Sequence, residues 1–384
     1  MVEIMYPKRV EKIFETFKKY GYDAYAVGGC VRDSLMGKSP ADWDITTSAP
    51  PEKTLEIFAL ENIRTLPTGL KHGTVSVLLD GEIFECTTFR IDGDYKDSRH
   101  PESVVFTDKL ELDLSRRDFT VNAMAASSER GVCDFFGGRN DIKNRIIRCV
   151  GQPALRFSED ALRILRGVRF ATVLDFDIEF ETLCAIKDLA HTLSGISAER
   201  KTVEFSKILC SENADRGARL LFESRIIYEL LPDAHTIPSN MTLLDGDFSL
   251  RLATFMYQSG AKDTSRLRLS NREKKNISFL LTQIVFEDTD EGARRMLASY
   301  GELAIETCIL QGRTELARLV AEQKILNPTL SISQLKIDGN TLLSLGIQPE
   351  NIGKTLAALL DNVLASPELN DKNILIEQAK KINA

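Results

Sequence analysis

Two acids stand two residues apart in this chain, Asp42 and Asp44, with Trp43 between them. Just upstream lie the glycine pair Gly28-Gly29 and Arg32. The run "DWDITT" is β-like, and residues at i and i+2 of a strand project from one face, so the spacing predicts two carboxylates side by side. They repel each other more strongly as water is removed, and a divalent cation relieves the conflict. Oxygen-only ligands suit Mg²⁺, which keeps several waters and bridges to phosphates. Glu85, in the neighbouring β-like run "EIFECTTFR", is the candidate third acid. An exposed D-x-D in an edge strand is the competing reading, and D-x-D alone is a weak pattern. The glycines add weight. They follow the strand-like "YAV" and open a short helix, where a phosphate can approach the backbone and its free N–H groups. Arg32, one turn on, can add a bidentate phosphate contact.

A second pair lies far downstream. Asp160 and Arg163 fall three apart in the helical run "EDALRILRGVRFATVL" and so are expected on one helix face, with Ser158 as N-cap. An i,i+3 salt bridge is the plain reading. The chemical one is that Asp accepts and Arg donates. Cytosine and adenine each present an amino donor beside a ring-nitrogen acceptor, which matches that pair. Uracil and guanine present the reverse, and mispaired buried groups cost roughly 1–3 kcal/mol each. Arg200 and Glu204, four apart, are read as structural braces.

The elements that must position these residues change character along the chain. The 384 residues imply about two to four domains. Up to about residue 150, strand-like runs alternate with helices. "GTVSVLLD" and "EIFECTTFR" meet at the hairpin signal Asp80-Gly81, and helices are expected at 7–20 (ended by Gly21), 51–60 and 118–127. Beyond about 155, helical periodicity dominates. The expected fold is an α/β head with a mixed sheet, followed by an elongated all-α remainder. The expected divisions are a head over 1–148, a neck over 149–210, a body over 211–310 and a tail over 311–384. No apolar run reaches membrane-spanning length, and the N-terminal amphipathic segment lacks a signal peptide's apolar centre. Seven cysteines without a C-x-x-C, and only four histidines, argue against zinc and for reduced thiols in the cytoplasm. A net charge of −7 argues against an all-over basic nucleic-acid binder. It leaves room for a local patch. Arg266, Arg268, Arg272, Lys274 and Lys275 surround a single Glu273, a cluster that grips phosphates or is a solvated helix start. Aromatic content of 7% does not suggest a stacking platform, so shape and backbone recognition of a folded RNA fits better.

Over residues 22–210 the chain resembles the class II nucleotidyltransferases, which include the CCA-adding enzymes of tRNA and the bacterial poly(A) polymerases. "VGGCVRDSLMGKSPADWDITT" resembles their motif A, "SRRDFTVNAMA" motif B, "DFFGGRNDI" motif C, "EDALRILRGVRF" motif D and "ERKTVE" motif E, in that order. The resemblance implies metal ligation and catalysis by Asp42 and Asp44 with Glu85. It implies ribose binding by Arg117, Asp118 and Asn122, and selection of CTP and ATP by Asp160 and Arg163. Gly28, Gly29, Arg32 and Arg166 would complete the nucleotide site, and Glu159 would orient Arg163. Two Mg²⁺ ions would lower the pKa of the RNA 3′-OH and stabilise the pyrophosphate leaving group, so no side chain need act as a dedicated base. The segment 90–115 carries the family's flexible-loop pattern in Asp94, Tyr95, Asp97, Arg99 and Pro101. CC-adding members lack this loop. "PTGLKHGTVSV" stands where poly(A) polymerases carry a Gly-Arg-Arg-Phe-like run. The tail departs from the family, with "GIQPENIGKTL" in place of a Gly-Pro-containing helix entry. The implied partners are tRNA, CTP and ATP, with no membrane and no DNA, and the implied activity is addition of C, C and A to the tRNA 3′ end. An A-adding enzyme, a poly(A) polymerase and a non-catalytic RNA-binding protein of the same fold remain the alternatives.

Overall fold

The computed structural model describes residues 4–93, 104–242 and 247–383. The chain forms two compact units, one running to Ser239 and including Lys262–Arg268, the other comprising Asn240–Ala261 and the chain from Leu269 onward.

The first unit begins with helix α1 (Lys8–Lys19), which turns out at Gly21 with φ +82°. Strand β1 (Ala24–Val27), helix α2 (Gly29–Leu35), strand β2 (Ile45–Thr47) and helix α3 (Pro51–Leu60) follow. Next come strands β3 (Arg64–Gly69), β4 (Thr74–Leu79) and β5 (Glu82–Thr88). Asp80 and Gly81 both take positive φ, 49° and 82°, the conformation of a tight hairpin turn. Strands β6 (Arg90–Asp92) and β7 (Val104–Phe106) pair antiparallel, ahead of helix α4 (Leu110–Ser115). Strands β8 (Met124–Ser127) and β9 (Gly131–Asp134) complete a seven-stranded mixed sheet of order β3-β4-β5-β2-β1-β8-β9, in which β2 and β5 are parallel.

One face of the sheet buries Ala26, Ile45, Val77, Phe84, Cys86, Met124 and Ala126 under apolar residues of α1, α2 and α3. The other face buries Tyr25, Val27, Phe89 and Ala125 against Leu114 of α4. The helix expected over 118–127 is not there. A short 3-10 turn covers Thr120–Asn122, and Met124–Ser127 is strand β8, buried on both sides between β1 and β9. A run of Met, Ala and Ala has high helix propensity and no alternation to reveal a doubly buried strand; tertiary pairing overrides it.

Helix α5 (Gly138–Asn144) and strand β10 (Ile146–Ile147) lead to helix α6 (Pro153–Glu159) and helix α7 (Leu162–Leu174). Strand β11 (Asp177–Ile178) pairs parallel with β10. Helices α8 (Phe180–Leu189), α9 (Ala198–Leu209) and α10 (Ala214–Glu223) follow, with α7 packed on α9 and α10.

The second unit is helical: α11 (Phe248–Ser259), α12 (Asn271–Leu281), α13 (Asp290–Tyr300), α14 (Ala304–Leu310), α15 (Thr314–Leu326), α16 (Gly339–Ser344), α17 (Pro349–Ala365) and α18 (Lys372–Ile382). Among the described residues, one apolar centre is shared by α13, α14 and α15 and another by α16, α17 and α18. Among the described residues no helix is long and apolar enough to cross a membrane.

Candidate active site

Asp42 and Asp44 lie in the lead-in to β2, a strand that begins three residues later than "DWDITT" suggests. The ladder nonetheless runs on through Asp44, whose carbonyl accepts from Val27 N at 3.0 Å. Trp43 turns toward the core and stacks at 5.7 Å on Tyr6. That alternation leaves both acids exposed in a cleft also lined by Glu82, Ile83, Phe84 and Glu85. Glu85 is one residue before Cys86, the parallel partner of Ile45, and is likewise exposed. Among the described residues no three Asp, Glu, His or Cys side chains converge closely enough to cage a metal, so Glu85 shares the cleft without closing a three-ligand site. Electrostatic strain is recorded at Asp44. Partial desolvation pushes its pKa up, Asp42 and Glu85 push it further, and Arg117 opposes them.

The glycine turn follows directly on Val27, whose N–H bonds the Asp44 carbonyl. Gly28 has φ +82° and ψ −128°, a conformation that favours glycine. A Cβ there would lie 3.2 Å from Arg117 Nη1. The Arg117 guanidinium therefore stands against the turn, its Nη2 3.6 Å from Asp113 Oδ2 and its buried Nε without a hydrogen-bond partner among the described residues. Burial draws the Arg117 pKa down and Asp113 opposes that.

Behind the turn, the groups expected to hold ribose hold each other. Asp118 accepts from Phe119 N at 2.8 Å, and from Arg166 Nε and Nη2 at 2.8 and 2.7 Å. Burial pushes the Asp118 pKa up, but Arg166 overcomes it and holds the carboxyl below the usual range. Asn122 accepts from Arg32 Nη1 at 2.6 Å, while Arg32 also pairs with Asp33 at 2.8 Å. The short turn that carries Asn122 is seated by Gly138, where a Cβ would clash with the Thr120 carbonyl. Three guanidinium carbons surround the Phe170 ring, Arg169 at 3.7 Å, Arg166 at 5.2 Å and Arg32 at 5.5 Å from its centroid. Glu204 balances them from α9, 2.6 Å from Arg169 and 3.9 Å from Arg166. Burial lowers the Arg169 pKa to about 10 against the pull of Glu204. The brace role of Glu204 is thus part of the arginine cluster itself. Nothing in a generic helical run distinguishes Phe170 or Arg169, or Asp113 in "LELDLS"; only the fold brings them in.

The neck pair is arranged differently from its helical spacing. Asp160 caps the C-terminus of α6 in an extended conformation (φ −142°, ψ 102°), and Arg163 is the second residue of α7. They are therefore not on one helix face. The chain breaks between them because Asp160 Oδ1 accepts from Leu162 N at 3.0 Å, a local side-chain bond that competes with continued helix. Asp160 Oδ2 accepts from Arg200 Nη2 at 2.8 Å. Arg163 is buried and donates to Glu159 Oε2 at 2.6 Å, Arg156 O at 3.0 Å and Arg116 O at 2.9 Å. Glu159 thus orients Arg163 as expected. Ser158 is not an N-cap; it sits inside α6 and donates to Leu155 O at 2.7 Å.

The loop residues Asp94, Tyr95, Asp97, Arg99 and Pro101 lie outside the described residues. The basic cluster is divided between units. Exposed Arg266 pairs with Glu229 at 3.1 Å and Arg268 lies 3.6 Å from Glu199, both in the first unit. Arg272, Lys274 and Lys275 are exposed on the first turns of α12, whose start is a Ser270–Glu273 capping box.

Comparison with known proteins matches residues 24–148 to the poly(A) polymerase head domain. Residues 175–237 match the probable RNA- and SrmB-binding site of polymerase A. The crystal structure of the Bacillus stearothermophilus CCA-adding enzyme in complex with CTP aligns over 99% of this chain and 98% of that one, with 32% identity and a TM-score of 0.80. The Thermotoga maritima CCA-adding enzyme complexed with tRNA shares the fold at 24% identity and a TM-score of 0.70, over 100% of this chain and 97% of that one. The CCA-adding enzyme of Ligilactobacillus salivarius (strain UCC118) is 35% identical over 98% of this chain and 96% of its own length. On that full-length similarity, joined to the acid cleft and glycine turn of its head, the chain belongs to the CCA-adding enzyme family of nucleotidyltransferases.

Proposed function

We propose that the protein adds C, C and A to the 3′ end of tRNA, drawing on CTP and ATP and releasing pyrophosphate. The observation that carries the reading is the pair of exposed carboxylates, Asp42 and Asp44, with Arg117 near enough to Asp44 to oppose its raised pKa and itself set against the Gly28 turn. The donor set fits Mg²⁺. Its oxygens are hard, and the Asp44 pKa is raised by partial desolvation and then by Asp42 and Glu85, a burden that a cation would relieve. Two protein carboxylates suffice for an ion that keeps waters and bridges to phosphates. Asp42 and Asp44 would hold it, with Glu85 on the cleft wall. When bound, the metal supplies the positive charge that acidifies the attacking 3′-OH and stabilises the leaving pyrophosphate.

The chain's own side chains do the rest. Gly28 and Gly29 let the triphosphate approach the backbone, and Arg32 and Arg117 bring positive charge to it. Asp118 and Asn122 offer an acceptor and an amide to the ribose, held in place by Arg166 and Arg32. Asp160 and Arg163 meet the base edge from either side of the α6–α7 break. The carboxylate of Asp160 has acceptor capacity beyond Leu162 N and Arg200, since each oxygen has two lone pairs. The division into head, neck, body and tail, a cytoplasmic setting, and a phosphate grip by Arg266, Arg268, Arg272, Lys274 and Lys275 belong to the same proposal.

The test is to incubate the protein with tRNA ending before the first C, at C-C, or complete, with each NTP singly and with all four, and to sequence the ends. Stepwise C, C, A addition that then stops is expected. Extension of the C-C substrate alone would make this an A-adding enzyme, and long A tails a poly(A) polymerase.

A further inference from the structure

We infer that Asp113 is a positioning residue for the nucleotide pocket, aiming Arg117 across the Gly28 turn toward Asp44. The inference rests on the reading of Arg117 as a nucleotide-holding residue.

Asp113, in the last turn of α4, is 0% exposed. A carboxylate that deep is stable only when paired and hydrogen-bonded. Its Oδ1 accepts from Arg116 Nε and Nη2 at 3.0 and 2.8 Å and from Arg90 N at 3.3 Å. That fork already satisfies the charge. Its Oδ2 has separate work: it accepts from Thr46 Oγ1 at 3.2 Å and faces Arg117 Nη2 at 3.6 Å. Thr46 lies on β2, two residues beyond Asp44, so the strand bearing the acid and the arm bearing the guanidinium share one anchor. Burial pushes the Asp113 carboxyl up, but Arg116 and Arg117 overcome it and keep it an anion.

The far side of Arg117 shows what the anchor is for. With Nη2 drawn to Asp113, Nη1 stands over Gly28 where any Cβ would crowd it, and the buried Nε has no partner among the described residues. A partly exposed cation held by Asp113 on one side and standing against the Gly28 turn on the other keeps charge and hydrogen-bonding capacity for an anionic ligand. A lysine is a poorer replacement, since its compact ammonium lacks the planar fork that presents separate donors to the anchor and to the ligand.

A double-mutant cycle in the full chain tests this. KM and kcat for CTP and ATP are measured on tRNA lacking its 3′ CCA for wild type, D113N, R117K and the double variant. D113N is expected to raise KM about ten-fold with kcat within about three-fold, and R117K to do the same. The double variant is expected to be no worse than R117K, because Asp113 acts through Arg117. If D113N does not accumulate as folded protein, D113E keeps the charge, displaces it by one methylene, and should show the same non-additivity. Penalties that add would make Asp113 a staple of α4 to β2 and overturn the proposal. An R117K enzyme with unchanged KM would instead overturn the nucleotide reading of Arg117, and that arm distinguishes the two failures.

Discussion

The acid cleft of the head and the arginine cluster of the neck solve opposite problems. Asp42, Asp44 and Glu85 are exposed and, among the described residues, are not gathered into a cage, and partial desolvation with the two neighbouring acids raises the pKa of Asp44. Asp118, Asp160, Arg163 and Arg166 are already matched to partners at 2.6–3.0 Å within the protein. On the proposed reading, a cation completes the cleft. The neck is a paired network that, on the proposed reading, would loosen a bond or add one to receive a base. The first arrangement gives strength to chemistry that occurs only with metal and phosphate present. The second gives rigidity, so that a wrong base meets groups that do not rearrange for it.

The sharpest way to break that contrast is to remove the acids. D42A or D44A is expected to reduce nucleotide incorporation by about three orders of magnitude, since the positive charge at the reacting phosphate goes with them. Binding of tRNA, measured by filter retention, should stay near wild type. A non-catalytic RNA-binding protein would show no incorporation to lose.

The neck responds in fidelity rather than in rate. D160A and R163A are expected to relax the preference for CTP and ATP over UTP and GTP by about ten- to a hundred-fold, read from competing incorporation. The two should differ in stability. R163A strips a buried charge from Glu159 and from two backbone carbonyls and is expected to cost about 2–4 kcal/mol in chemical denaturation. D160A loses a partly exposed cap and one arginine contact, and should cost about 1 kcal/mol. Equal losses would contradict the unequal burial.

Phe170 lies beneath both halves of the proposed nucleotide shell, because Arg32 of α2 and Arg166 of α7 both stand over its ring. F170L keeps an apolar side chain but removes the ring face, and is expected to raise KM for both nucleotides several-fold, in line with about 1 kcal/mol for a cation–π contact. F170Y should restore it. A structural role alone would lower the melting temperature in both variants and leave KM in place.

How far these regions could be read in advance differs in the same way. Asp42, Asp44, Gly28 and Arg32 lie within one short segment, so spacing alone proposed their meeting, and Trp43 turned inward as alternation requires. The Asp80-Gly81 hairpin and the helices ended by Gly21 and started at Pro51 were equally local. The neck was misread where local rules compete. The apolar period runs unbroken through residues 159–174, yet the Asp160 side chain captures Leu162 N and splits the helix. Nothing in the run "DKLELDLS" sets Asp113 apart from Asp108 and Glu111. Its burial depends on β2 and on two arginines that only the tertiary fold supplies. Strand β8 was hidden because small residues buried on both faces carry no alternation.

The gentlest probe of the comparison is proton against metal at Asp44. Its folded pKa is raised, so relative to an unperturbed aspartate it contributes stability that is fully present below the unfolded value and lost as pH rises through the folded one. At neutral pH the ionised group is therefore mildly destabilising. Because the side chain is exposed, solvent screening limits the effect to less than about 1 kcal/mol. In chelator, the melting temperature should fall slightly as pH climbs from the ordinary aspartate range, and D44N should flatten that slope and melt a little higher than wild type. With millimolar Mg²⁺ the wild-type slope should vanish, because the cation stabilises the ionised form, while D44N should gain less. If Mg²⁺ raised the melting temperature of D44N and wild type equally, the strain at Asp44 would have nothing to do with metal, and the cleft would be no less settled in its free state than the neck.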